Sequence, residues 1–261
     1  EHITDFMYKI LDVHKEDYVL DATCGSGGFL VKAMANMIQE AGGMQTDEAA
    51  EIKASHLYGI EFDREIYALA CANMLIHKDG KTNLEQMDAR TEAACKWIKS
   101  KRITKVLMNP PYENKYGCMT IVENVLDNVP ARTQCAFVLP DKKLEKASKT
   151  QMKRILKNHR LLKVIKLPED LFFGIGVTTS IFVFVAGVGQ NNKDFFACYM
   201  ESDGLATVKN KGRHDVYGKW VDIEEHWIDV VEKQSGDDTC QWVNPNEHLS
   251  YQLPQKPFEI F

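Results

Sequence analysis

Three carboxylates and one amide stand where a parallel sheet would present them side by side. Asp21 closes the apolar run Val19-Leu20, and Glu61 closes Leu57-Tyr58-Gly59-Ile60. Asp88 follows the run from Asn83 to Met87, and Asn109 follows Val106-Leu107-Met108. Each lies at the carboxyl end of a predicted strand, the end at which open parallel sheets bind ligands. Glu61 is placed to accept hydrogen bonds from the ribose hydroxyls of a nucleoside-like cofactor, with Asp63 as the competing candidate. Asp21 and Asp88 also suit a turn or a helix cap. After Asp21 come Gly25, Gly27 and Gly28, then helical spacing through Phe29, Leu30, Val31, Ala33, Met34, Met37 and Ile38. Glycine there tolerates positive φ and lets a ligand approach backbone N–H groups at a helix start. At Asn109-Pro110-Pro111-Tyr112, two prolines stop the strand and stiffen its exit, leaving an amide and an aromatic ring at the sheet's edge.

The same residues argue against two other chemistries. Gly25-Ser-Gly27-Gly-Phe-Leu30 puts leucine where a dinucleotide fingerprint needs its third glycine, and the gap from Gly28 to Glu61 is too long for a nicotinamide dehydrogenase. No P-loop pattern occurs. The seven cysteines are scattered, odd in number and include no C-x-x-C, which argues against a metal site or a disulfide framework and for reduced cytoplasmic thiols. The sequence shows no basic-then-apolar leader and no apolar run of about 18 residues, so neither secretion nor a membrane span is expected.

The elements that must position these groups alternate. Helices are predicted over His2–Leu11, from Phe29 to about residue 40, and over Arg64–His77, Thr91–Ser100 and Met119–Val129. A lysine-rich helix follows over Lys142–Asn158. The polar stretch after Gly42-Gly43, through Ala54, reads as a loop or short helix. Strands fall between the helices: after the four named above come Cys135–Leu139, Leu161–Leu167 and Ser180–Ala186. The pattern predicts an α/β fold, a doubly wound, mostly parallel seven-stranded sheet. The loop Phe172–Thr179 leaves no room for a crossover helix, so the last strand is expected to be antiparallel to its predecessor. Residues 1–188 are read as a catalytic core. Residues 189–261 are read as an extension with an edge strand at Phe195–Met200 and a helix at Ile223–Glu232. The net charge of −5 is unusual for a protein that grips DNA alone, but residues 141–170 hold ten Lys/Arg against four Asp/Glu. That run reads as a solvated helix face or as a phosphate-contacting surface.

Asp21-x-x-Cys24-Gly-Ser-Gly-Gly28 followed by Asn109-Pro110-Pro111-Tyr112 resembles the amino methyltransferases that use S-adenosylmethionine, and most of all the N6-adenine DNA methyltransferases. Phe137-Val-Leu-Pro140, Leu167-Pro-Glu-Asp-Leu-Phe-Phe-Gly-Ile-Gly-Val-Thr-Thr-Ser-Ile-Phe-Val-Phe184 and Tyr251-Gln-Leu-Pro-Gln-Lys-Pro-Phe258 extend the resemblance to the modification subunit of type I restriction-modification systems. It implies a Rossmann-like class I methyltransferase fold with S-adenosylmethionine held by Asp21, Ala22, Thr23, Cys24, Gly25, Gly27, Glu61, Asp88 and Asn109. It assigns the ribose to Glu61, the cofactor's adenine amine to Asp88, and the methionine part with the glycine turn to Asp21. Catalysis would fall to Asn109, Pro110, Pro111 and Tyr112. The Asn109 oxygen and Pro110 carbonyl would accept the hydrogens of an adenine amine, while Tyr112 stacks on the flipped base. Phe173 would be a second wall for that base. The implied partners are DNA, a specificity (S) subunit and a restriction (R) subunit, in the cytoplasm, with no metal. Family members also carry a helical domain and an aromatic-x-Thr-Pro motif before the position of His2, and a tail beyond Phe261, so the chain looks like the catalytic core of a longer protein. The alternatives are a methyltransferase acting on protein glutamine or RNA, and a non-catalytic cofactor-binding assembly subunit.

Overall fold

The computed structural model describes residues 2–77, 83–169, 171, 176–209 and 211–254. The predicted Phe173 wall, and Gly174 of the same loop, lie outside the described residues.

Short apolar runs separated by amphipathic helices wind a single mixed sheet. After α1 (His2–Ile10) come β1 (Val19–Asp21), α2 (Gly28–Glu40), α3 (Asp47–Ser55), β2 (Leu57–Glu61), α4 (Arg64–Ile76) and β3 (Asn83–Gln86). Then follow α5 (Glu92–Lys99), β4 (Lys105–Met108), α6 (Cys118–Asn128), β5 (Gln134–Pro140), α7 (Lys143–Lys146), α8 (Lys149–Asn158), β6 (Arg160–Lys166) and β7 (Thr179–Val185). The remaining elements are β8 (Phe195–Tyr199), β9 (Ala206–Val208), β10 (Gly212–His214), α9 (Trp220–Lys233) and β11 (Gln241–Val243). The main sheet runs β11-β8-β6-β7-β5-β4-β1-β2-β3, with β9 and β10 as a separate hairpin. Strands β1 to β5 are mutually parallel, and β7 enters antiparallel between β5 and β6, as the short connection predicted.

The order reverses between β1 and β4. The chain winds outward through β2 and β3, then returns to build β4 and β5 on the other side, which opens a crevice above the carboxyl ends of β1 and β4. Apolar side chains fill both faces. Leu30, Met34 and Met37 of α2 bury beneath one face, while Val122, Val125 and Leu126 of α6 bury against the other. The central strands are buried on both sides, as parallel strands covered by helices must be.

Three expectations need correcting. The strand at Phe195–Tyr199 is not an edge, because β11 pairs beyond it and makes the sheet nine-stranded. The lysine-rich helix is two helices: Ala147 takes extended geometry with ψ 164°, and α8 begins afresh after Ser148. The C-terminal helix starts earlier than predicted, at Trp220, whose ring packs edge-on against Phe6. Lys9 of α1 reaches Glu224 of α9 at 2.6 Å, and His2 bonds Asp203 at 3.0 Å, so the last quarter of the chain is fastened to the first helix. No described helix is long and apolar enough to cross a membrane.

Candidate active site

The turn after β1 is held by its own backbone and by the side chains of Asp21, Glu61 and Asn73. The Cys24 N–H donates to the Ile60 carbonyl, and the Gly27 N–H to the Cys24 carbonyl. The Asn73 amide of α4 donates to the Ser26 carbonyl at 2.8 Å. Gly25 and Gly27 have φ +54° and +86°, backbone that glycine adopts without cost. A Cβ on Gly25 would meet nothing within 4 Å, so the main chain there faces open space. Gly59, inside β2, has the opposite role. A Cβ there would stand 2.4 Å from Leu84 and 2.9 Å from Leu30, so its absence lets α2 close onto the sheet.

Asp21 is 1% exposed and accepts from the Thr23 N–H at 3.0 Å. Burial pushes its carboxyl up to about 7; the Thr23 N–H works against that shift, and the nearby Glu61 charge adds to it. Thr23 Oγ1 is buried with no well-aligned hydrogen-bond partner among the described residues, although it stands close enough to Asp21 to help hold its charge. Glu61 ties the two sides of the crevice: one oxygen accepts from the Gly25 N–H at 2.9 Å and the other from the Asp63 N–H at 2.9 Å. Asp63 uses Oδ1 to cap α4, accepting from the Glu65 and Ile66 N–H groups. Of the two strand-two candidates, Glu61 is therefore the one not committed to a helix cap. Asp88 is gripped by Arg90, whose guanidinium reaches both oxygens at 2.6 to 3.0 Å and holds the carboxyl below its usual range.

These groups border one cavity of about 500 Å³. Ala22, Thr23, Glu61, Asp88 and Asn109 of the expected set line it, together with Pro111. Asp21, Cys24, Gly25, Gly27, Pro110 and Tyr112 do not; Asp21 and Cys24 lie beneath the turn, and burial raises the Cys24 thiol, leaving it protonated and unreactive. Sequence reasoning missed the apolar rim of Phe62, Ile66 and Tyr116, exposed by 61%, 42% and 42%. Phe62 could have been found as the ring directly after the strand-two acid. A cavity of this size, with a carboxylate at one strand end, an orphaned buried hydroxyl, an uncovered glycine backbone and exposed apolar side chains, fits a nucleoside-like cofactor such as S-adenosylmethionine.

A second cavity, of about 710 Å³, lies on the other side of the strand-four exit. Pro111 borders both, and here Tyr112, Met119, Pro140 and Lys143 join it. The Tyr112 hydroxyl donates to Asn109 Oδ1 at 2.8 Å, and burial raises its pKa. Lys143 donates to the Tyr112 carbonyl at 2.6 Å. The amide and the ring are thus held together where two cavities meet.

The chain resembles known proteins over nearly its whole length. It is 29% identical over 276 residues to the type II restriction enzyme and methyltransferase RM.BcgI of Heyndrickxia coagulans, a match covering 98% of this chain and 43% of that protein. It is 22% identical over 205 residues to the type I restriction enzyme EcoEI methylase subunit of Escherichia coli, covering 71% of this chain and 41% of that one. The chain thus spans less than half the length of these relatives. The crystal structure of the type I restriction enzyme EcoKI M protein superposes with a TM-score of 0.72 at 16% identity, covering 88% of this chain and 52% of that one. Its fold is shared, a mixed α/β sheet of the class I methyltransferase kind. The N-6 DNA methylase family model matches residues 1–140, from α1 through the glycine turn and Asn109-Pro110-Pro111-Tyr112 to the end of β5, and the chain belongs to the N-6 DNA methylase family.

Proposed function

We propose that this chain transfers a methyl group from S-adenosylmethionine to the N6 amine of an adenine flipped out of DNA, as the modification subunit of a type I restriction-modification complex. The observation that carries this reading is the placement of Asn109. Its amide lines a nucleoside-sized cavity, and it bonds Tyr112 on the wall of the next cavity. When bound, the cofactor supplies an electrophilic methyl on a sulfonium. Glu61 would accept from its ribose, Asp88 from its adenine amine, and Asp21 would sit beneath the methionine part with the backbone of Ala22, Thr23, Cys24, Gly25 and Gly27 around it.

An adenine amine is a poor nucleophile because its lone pair is delocalised into the ring. Asn109 Oδ1 and the Pro110 carbonyl, accepting its two hydrogens, draw the nitrogen toward sp³ and aim the lone pair. The rest is positioning and electrostatics, and the amine needs no strong base to attack. Having gained the methyl as the methyl–sulfur bond breaks, the amine sheds one hydrogen as a proton through the Asn109 Oδ1 or Pro110 acceptor to solvent. Tyr112 occupies Asn109 Oδ1 with its own hydroxyl. The arriving amine takes over that acceptor while the ring turns to stack on the base. Pro110 and Pro111 keep the exit stiff throughout the exchange.

The EcoEI relative's name, a methylase subunit of a restriction enzyme, favours a place in a larger complex. The partners we propose are an S subunit that reads the sequence and an R subunit for cleavage. The acidic balance of the chain supports a division of labour in DNA binding. RM.BcgI, similar over 98% of this chain, combines restriction enzyme and methyltransferase, which favours as a second reading that both activities belong to one polypeptide. The test is transfer of labelled methyl from S-adenosylmethionine by the full-length protein, offered duplex DNA, RNA and protein separately. Label in DNA, lost in Asn109→Ala even at saturating S-adenosylmethionine, is expected. Label in RNA or protein instead would overturn the adenine-DNA reading.

A further inference from the structure

Helix α8 forms a surface that the reaction above does not use. Lys149, Lys153 and Lys157 recur every four residues, so they stand on one face at intervals of about 6 Å. That face is one wall of a groove of about 890 Å³, floored by Met152 and Leu156. The opposite wall is Asn191 and Asn192 after β7, with Asn246 and His248 after β11. Asn191 and Asn192 have φ 50° and 54°, a conformation asparagine tolerates better than most residues. The Asn246 amide donates to Asn192 Oδ1 at 3.4 Å, which links the two loops into one wall.

Among the described residues, the three lysines share their lack of a carboxylate partner with exposed Lys99, Lys193 and Lys219, but only they line up along one helix. Lys9, Lys15, Lys96, Lys115 and Lys233 each have a carboxylate within 3.0 Å. Lys149, Lys153 and Lys157 are exposed and make no ion pair among the described residues, in a chain with 37 acidic residues against 32 Lys and Arg. Two carboxylates border the groove. Glu145 is occupied by the Leu249 N–H and the Ser250 hydroxyl, with Lys142 nearby at 3.5 Å, and Glu247 is exposed. Lys146, three residues before Lys149, lines the cavity beside Tyr112, so the two basic walls follow one another along the chain. Ammonium groups at roughly the repeat of successive phosphates, facing a wall of amides, suit a sugar-phosphate backbone and read no base.

Building on the proposed function, we infer that this groove carries the phosphodiester backbone of the DNA as it leads away from the target base along α8. Lys149, Lys153 and Lys157 neutralise successive phosphates, and Asn191, Asn192 and Asn246 bond phosphate or sugar oxygens. The experiment measures DNA binding by the full-length protein in its native complex against salt concentration, for wild type and for the triple variant Lys149→Gln, Lys153→Gln, Lys157→Gln. Each phosphate left without its ammonium partner should reduce the log–log slope by about 0.9. The triple variant should therefore lose about 2 to 3 from the slope, equally on all sequences, with cofactor affinity and thermal midpoint unchanged. The triple Lys→Arg variant should keep the slope, which separates charge from folding. A wild-type slope in the glutamine variant overturns the inference. If that variant instead fails to assemble with its protein partner, the groove serves an acidic protein surface and the inference also falls. A wild-type complex that binds no DNA refutes the proposed function itself, a result distinct from either.

Discussion

Asp21 should make cofactor binding depend on pH. Its carboxyl is buried and pushed up to about 7, so in the free protein it is about half protonated at neutral pH. A ligand carrying positive charge on its sulfonium and amino group favours the ionised form. With that pKa, roughly one carboxyl in eleven is ionised at pH 6 and ten in eleven at pH 8, so binding should weaken about tenfold between pH 8 and pH 6. Asp21→Asn can still accept from the Thr23 N–H, so the turn should survive while the charge is gone. Calorimetric titration with S-adenosylmethionine at pH 6, 7 and 8 measures the effect, and the difference between wild type and variant isolates Asp21 from titration of the ligand. Binding by the variant should be weaker at pH 8, with the two curves converging at pH 6. Parallel curves would refute the reasoning. Stability of the unliganded protein runs the other way. The folded carboxyl keeps its proton up to about pH 7, whereas the unfolded one releases it near 4, so its contribution is fullest below pH 4 and is lost as pH rises to 7. In urea titrations Asp21→Asn should remove that decline, which amounts to up to about 4 kcal/mol.

Three further outcomes follow from single contacts. Gly59→Ala places a Cβ 2.4 Å from Leu84 and 3.1 Å from the Cys24 sulfur; it should cost about 1–3 kcal/mol, and an unchanged urea midpoint would show that the core gives way freely. Tyr112→Ala should lower kcat/KM by about 10- to 100-fold, the worth of one base stack, whereas Tyr112→Phe, which keeps the ring and removes the competing hydroxyl, should stay within about fivefold of wild type. Equal losses in the two variants would assign the effect to the hydroxyl. Lys143→Met releases the Tyr112 carbonyl; kcat should fall about tenfold with cofactor affinity unchanged, and Lys143→Arg should recover part of it. A fall in cofactor affinity with no change in kcat would contradict that positioning role.

What could be read from the sequence was whatever depends on local pattern. Strands ending in Asp21 and Glu61, or just before Asp88 and Asn109, were legible because apolar runs bounded by turn residues fix both the strand and its exit. The antiparallel β7 was legible from a connection too short for a helix. β11 was not: Gln241-Trp242-Val243 carries too little alternation, and only pairing with Phe195–Ala197 makes it a strand. The break at Ala147 was hidden because lysines continue across it. Contacts between distant segments left no local mark either. Lys143 meets Tyr112 across 31 positions, and Lys9 meets Glu224 across 215. Arg90 lies only two residues from Asp88, yet sequence alone does not say that it folds back on that carboxylate.

Nucleoside mass spectrometry of duplex DNA treated with the full-length protein and S-adenosylmethionine reads which atom receives the methyl, and so bears on the proposed reaction without an intermediate step. N6-methyladenine is expected, and it should be absent from DNA treated with Asn109→Ala. Methyl on cytosine, or the same N6-methyladenine from the Asn109→Ala protein, would contradict the role given to the amide between the two cavities.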